Sequence, residues 1–302
     1  MKLQRPLSLK CFKCSKVKEK QNNGNQYFFL ASILLGIVCY STGSYENAQL
    51  FFAGTLKKQL LYVDNEEDHP FLEQSYIHLA VLYKTMGNIA LSLAMWQSSL
   101  KVHKRQYGEI SYLLSSDYKN IGMCQLGLGQ VKESIESLQI SERYSKIAQQ
   151  ELKEPEDIKD EKKLLSEVYF ALYLSYVANN EWDKAISANE ASLLLNIELL
   201  GEADLNVANN YYLGSQIYLK KLQIDEAFNY VNKANQIIDL KPSKEPLLLS
   251  RYRFLRAKLY KMMEKNKEAL QDIDETIRVT ESNPQLYTDE VEAKNFRRNL
   301  LA

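Results

Sequence analysis

The sequence predicts an all-α fold: a solenoid of about six stacked helical hairpins, closed by a C-terminal helix. Three observations carry this. The 302 residues include only 11 glycines and six prolines, too few for a sheet fold built on many tight turns. An anchor position recurs at Gly36, Ala80, Gly122, Tyr173, Ser215 and Ala257, with separations of 44, 42, 51, 42 and 42. Twelve residues after each anchor stands a small side chain: Ala48, Ser92, Ser134, Ala185, Ala227 and Ala269. A small residue at a fixed place on a second helix lets its backbone approach the first.

The remaining columns give each hairpin its parts. Three residues after the anchor, one turn along the same helical face, come Cys39, Tyr83, Gln125, Tyr176, Tyr218 and Tyr260. Seven after it a turn residue able to take the left-handed conformation stands in four copies, Gly43, Gly87, Gly129 and Asn180, with Leu222 and Glu264 as exceptions. Nine after it the second helix opens on Tyr45, Ile89, Val131, Trp182 and Ile224, with Asn266 departing. Sixteen after it Phe52, Trp96, Leu138, Val231 and Ile273 fill the space between hairpins, and Asn189 breaks the column in the fourth copy. One hairpin cannot bury its apolar faces alone, so the copies must stack.

Between copies run VDNEEDHPFLEQSYIHLA, RQYGEISYLLSSDYKNIG and ELLGEADLNVANNYYLG. These hairpins resemble the tetratricopeptide repeat family over roughly residues 26 to 281. The period near 42 and the linkers resemble the kinesin-light-chain type of that repeat. The repeated Asn of that type's first helix survives as Asn120, with His78, Ala171 and Leu213 at comparable places. The resemblance implies a right-handed superhelical solenoid of TPR-like hairpins that binds proteins or peptides in a groove lined by the first helices.

Residues that helical spacing turns toward such a groove are Lys84, Lys119, Phe170, Tyr212 and Gln216, then Lys220, Arg251, Phe254, Lys258 and Lys261. Basic and aromatic types dominate, which favours an acidic peptide with apolar anchors; the alternative is that these cations cover a solvated face. The sixth copy is densest: residues 251 to 261 hold five basic residues and no acid. Some family members clamp a terminal carboxylate with Lys and Asn on successive first helices. Lys119 matches, but Met123 and Ala171 stand where Asn is needed, so no chaperone tail is expected.

Residues 25–302 form the expected solenoid and residues 1–24 a basic lead. The latter reads as a solvated tail, a mitochondrial targeting segment or a segment drawn to an anionic surface. The apolar run Tyr27–Tyr40 follows it, shorter than the roughly 20 residues a spanning helix needs. It reads as the first helix of the first repeat, with a membrane-anchored receptor as the alternative. A charged insertion at about 149–163 reads as a loop or helix extension, with Pro155 stopping the preceding helix. The stretch 284–302 reads as a capping helix.

Balanced charge, 38 basic against 38 acidic residues, argues against nucleic acid as a partner. Four scattered cysteines suit a reducing compartment better than a disulfide framework, and Cys11 and Cys14 lack the further ligands of a zinc site. No catalytic, metal or cofactor constellation stands out. The expected role is a non-catalytic scaffold or adaptor, either a mitochondrial complex assembly factor or accessory subunit, or a cytosolic transport or ciliary adaptor.

Overall fold

Helix follows helix without interruption by strand in the computed structural model, which describes residues 23–240 and 245–301. The basic lead up to residue 22, with Cys11 and Cys14, lies outside the described residues. Two compact units divide the chain after Gln106.

The first unit holds α1 (Asn23–Ser41), α2 (Tyr45–Tyr62), α3 (Glu73–Thr85) and α4 (Ile89–Tyr107), the last ending at the boundary. Its core gathers Ile33, Ala48, Phe52, Leu79 and Leu82. Gly36 is needed here: a Cβ on it would lie 2.4 Å from the Phe52 ring. That ring is held from its other side by His78, stacked at 5.1 Å and 11°. Burial pushes the His78 imidazole below its ordinary value of 6.5.

The second unit holds α5 (Ser115–Gly127), α6 (Val131–Glu151), α7 (Pro155–Ala178), α8 (Trp182–Leu200), α9 (Leu205–Lys220) and α10 (Ile224–Asp239). It continues with α11 (Pro246–Met262), α12 (Asn266–Glu281) and α13 (Tyr287–Leu301). Each helix packs on the next in chain order. The insertion is a helix extension: α6 runs to Glu151, a short break follows, and Pro155 takes the first position of α7, where its missing N–H is harmless.

Every small residue of the twelve-residue column is fully buried. In three copies a serine hydroxyl spans the hairpin: Ser92 donates to the Ala80 carbonyl at 2.8 Å, Ser134 to Gly122 at 2.7 Å and Ser215 to Ala227 at 2.7 Å. The column is small because the backbones meet there, and a hydroxyl at the crossing gains a carbonyl partner.

All six hairpin turns share one geometry, including the two copies whose turn residue looked wrong. Gly43, Gly87, Gly129, Asn180, Leu222 and Glu264 have φ of 79, 78, 76, 58, 59 and 60°. In each copy the following residue donates its N–H to the carbonyl five residues back, as Ser44 does to Cys39 at 2.8 Å and Gln223 to Tyr218 at 2.9 Å. This closes the first helix in the Schellman manner. Leu222 and Glu264 accept a left-handed conformation that costs about 1–2 kcal/mol for an L-residue, because the two flanking helices fix the turn.

The linkers also share a design. His69 Nδ1 accepts from the Phe71 N–H at 3.2 Å and Ser111 Oγ from Leu113 at 3.3 Å, each starting a short 3₁₀ turn ahead of the next helix. Asp204 caps α9 directly through the Asn206 N–H at 2.8 Å.

Where Asn189 breaks the apolar column, amides replace apolar packing. Asn189 Nδ2 donates to the Asn210 carbonyl at 3.0 Å, and Asn210 Nδ2 returns a bond to Asn189 Oδ1 at 3.2 Å. Asn196 Nδ2 reaches Asn210 Oδ1 at 2.8 Å, and Ser166 donates to Asn196 Oδ1 at 2.8 Å. The buried amides are satisfied by one another across α7, α8 and α9.

Candidate functional site

Five of the ten residues expected to face a groove converge in the second unit. Tyr212 and Gln216 from α9 and Arg251, Phe254 and Lys258 from α11 line a recess of about 210 Å³, which Asp289 and Glu292 of α13 complete. The positions 251, 254 and 258 fall on one face of α11 because they follow the three- and four-residue spacing of a helix.

Its floor is aromatic. Tyr212 is half-buried and its ring lies 4.8 Å from that of the buried Tyr252. Gln216 Nε2 donates to the Tyr212 hydroxyl at 2.8 Å. Burial pushes that phenol above its ordinary value, with Arg251 opposing the shift, so it stays neutral and hydrogen-bonding near neutral pH. Phe254 meets Phe296 of α13 edge-on at 5.5 Å, and the Lys258 ammonium sits 4.0 Å above the Phe254 ring.

The charges are unequal in their freedom. Lys258 donates to Glu292 at 3.1 Å, whereas exposed Arg251 makes no ion pair among the described residues. The recess therefore presents the Arg251 guanidinium beside an aromatic floor, together with the carboxylates of Asp289 and Glu292.

The dense basic run 251 to 261 is split by the helix. Arg253 and Arg256 point the other way, toward α10 and α12: Arg253 pairs with Asp239 at 2.6 Å, and Arg256 grips Asp272 at 2.6 and 2.7 Å. Because Arg253 and Asp272 are buried, these pairs hold α11 to its neighbours. The sequence offered no sign of this division, since the acids lie 14 and 16 residues away.

The other expected residues stand apart from the recess. Lys84 is exposed on α3 in the first unit. In the second unit Lys119 of α5 donates to Glu167 of α7 at 2.7 Å, Phe170 stacks on Tyr173 at 6.2 Å and Lys220 is exposed at the end of α9. Lys261 lies over the Phe296 ring at 5.3 Å. Sequence reasoning missed Asp289 and Glu292, which belong to α13, beyond the sixth hairpin. Among the described residues no group of His, Cys, Asp or Glu could hold a metal ion.

No family model matches the sequence, and no curated protein matches it significantly. Solved structures do match the fold. BtubC (BKLC) from P. vanneervenii superposes with a TM-score of 0.64 at 16% identity, over 79% of this chain and 91% of that one. The TPR-like repeats of a Podosopora anserina putative kinesin light chain give 0.57 at 15% identity, over 73% and 98%. A chain of the APC/C hetero-tetramer Cut9-Hcn1 gives 0.55 at 14% identity, over 91% of this chain and 43% of that one. The chain has the tetratricopeptide-repeat fold. Its repeats resemble those of the kinesin-light-chain type, as the linkers indicate.

Proposed function

We propose that this chain is a non-catalytic scaffold or adaptor that holds a protein partner, seating an acidic peptide with an apolar anchor on the α9 and α11 face. The observation that carries this reading is Arg251, a guanidinium without an ion pair among the described residues, beside Tyr212, Gln216 and Phe254. Arg can take a carboxylate in two parallel hydrogen bonds, and the rings take the apolar anchor. The recess holds no arrangement of nucleophile and base that would suit a reaction. The Cut9-Hcn1 assembly supports the general reading, since a chain with this fold there belongs to a protein complex.

In its more specific form the scaffold is a mitochondrial assembly factor or accessory subunit of a membrane complex, in keeping with the basic lead and the apolar first helix. The likeness to kinesin-light-chain-type repeats favours a second reading, a cytosolic transport or ciliary adaptor. Among the described residues no helix is long and apolar enough to cross a membrane, so an anchored receptor is the weakest of the three.

Fluorescence polarisation with labelled acidic peptides, each carrying one aromatic or Leu anchor, tests the binding face. Tight binding that weakens on Arg251→Glu, with basic control peptides inert, is the expected result. Equal binding of acidic and basic peptides, or indifference to Arg251→Glu, overturns it. Capture of the tagged chain from its native cells then separates membrane-complex subunits from motor and cytoskeletal proteins.

A further inference from the structure

Across its nineteen residues α1 carries no Asp, Glu, Lys or Arg. One side, with Phe29, Ile33 and Gly36, is buried in the first unit. The other leaves Tyr27 70% exposed and Leu30, Leu34, Leu35 and Val38 each more than half exposed. At 3.6 residues per turn these five fall within a sector of about 140°, and they run about 17 Å along the helix. A water-facing surface helix ordinarily turns charge outward; here the outward stripe is aliphatic and aromatic.

What covers such a stripe is indicated by the charge around it. Residues 2 to 20, immediately preceding the helix, hold seven Lys or Arg and one acid, Glu19. On the neighbouring helix Lys57 and Lys58 are exposed, and the Lys58 ammonium sits 4.4 Å from the Phe28 ring. Apolar rings and aliphatic chains bordered by cations are the composition of a helix lying in a headgroup layer. Of the five stripe residues only Tyr27, at one end, carries a polar atom that could fix the register of a protein partner.

We infer that the outer face of α1 binds the surface of an anionic lipid bilayer. The helix lies parallel to the surface, with Tyr27, Leu30, Leu34, Leu35 and Val38 at the acyl boundary and Lys57 and Lys58 of α2 against the phosphates. Binding is peripheral, because the helix does not span. The inference rests on the first unit alone and is independent of the peptide-binding face.

The test is flotation of the full chain with phosphatidylcholine vesicles, with and without phosphatidylserine, at low and high salt. Binding to the anionic vesicles that weakens in salt is expected. The double variant Leu34→Asp/Val38→Asp should lose about tenfold or more in partition, while its circular dichroism and melting temperature stay those of the parent. If that pair disturbs folding, Leu34→Gln/Val38→Gln gives the same reading without new charge. Failure to float with either vesicle overturns the inference, as does equal flotation of the folded variants. Concentration-dependent dimerisation that the variants abolish, without flotation of the parent, assigns the stripe instead to a second copy of this chain.

Discussion

α1 and α13 are the first and last helices among the described residues. α1 has no charged residue, whereas α13 carries Asp289, Glu290, Glu292, Lys294, Arg297 and Arg298. The charges of α13 are tied down: Lys294 bridges Glu281 and Glu290 at 2.7 Å, and Arg297 meets Asp274 at 2.5 Å. Its apolar residues turn inward, with Ala293 fully buried and Phe296 against Phe254. A repeat array must end somewhere, and a polar outer face is how it ends in water. The two helices thus differ in what they turn outward: α13 a charged face, α1 an aliphatic and aromatic one.

The largest effect should come from the core beneath α1, which α2 fills with Phe52. Phe52→Ala removes the ring that fills the space against Gly36 and His78, and should lower stability by about 3–5 kcal/mol in urea unfolding. At the other end Phe296→Ala removes a half-buried ring. Its cost should be about half of that, and loss of the α11 to α13 contact should also alter acidic-peptide binding.

The turns sharpen the comparison within the repeats. Gly87→Leu should cost about 1–2 kcal/mol, because φ there is 78°. Leu222→Gly, at a turn with φ of 59° and a side chain 76% exposed, should instead gain about 0.5–1 kcal/mol. A harmless Gly87→Leu or a destabilising Leu222→Gly would mean that the two turns are not equivalent.

A pH series probes the first unit through His78. The folded state holds its imidazole neutral to a lower pH than the unfolded chain, so its contribution to stability is complete above about 6.5. It is lost progressively as pH falls below that and through the lowered folded value. Melting curves from neutral to mildly acidic pH should therefore decline, and His78→Asn should flatten the decline. The smallest effect belongs to the outward side of α1: Leu34→Asp should change stability by no more than about 0.5 kcal/mol. A larger loss would show that the stripe is part of the core.

Much of this fold was legible because stacking demands a fixed spacing. The small residues Ala48 to Ala269 marked each hairpin crossing, and all six proved buried. Leu222 and Glu264 misled because the sequence signal for a left-handed turn is Gly or Asn, while the helices on either side can impose that turn on any residue. Half of the proposed groove set converged, since spacing within one helix predicts a shared face. Spacing could not reveal that Asp289 and Glu292 border it, or that Arg253 and Arg256 leave it, because those facts depend on contacts between distant segments.

The linked amides of Asn189, Asn196 and Asn210 bear on how such a chain finds its order. Near-identical hairpins can dock out of turn, and apolar packing alone discriminates poorly among them. At the place of Asn210 the fourth copy has Val168 and the sixth has Tyr252, neither with the side-chain amide that donates to Asn189 Oδ1 and accepts from Asn196. Docking either against α8 would take the amide donor from Asn189 Oδ1 while leaving its bond to a backbone carbonyl, and an unpaired buried polar atom costs about 1–3 kcal/mol. The polar patch therefore works as a lock-and-key for assembly, admitting the fifth hairpin beside the fourth and penalising the wrong neighbour.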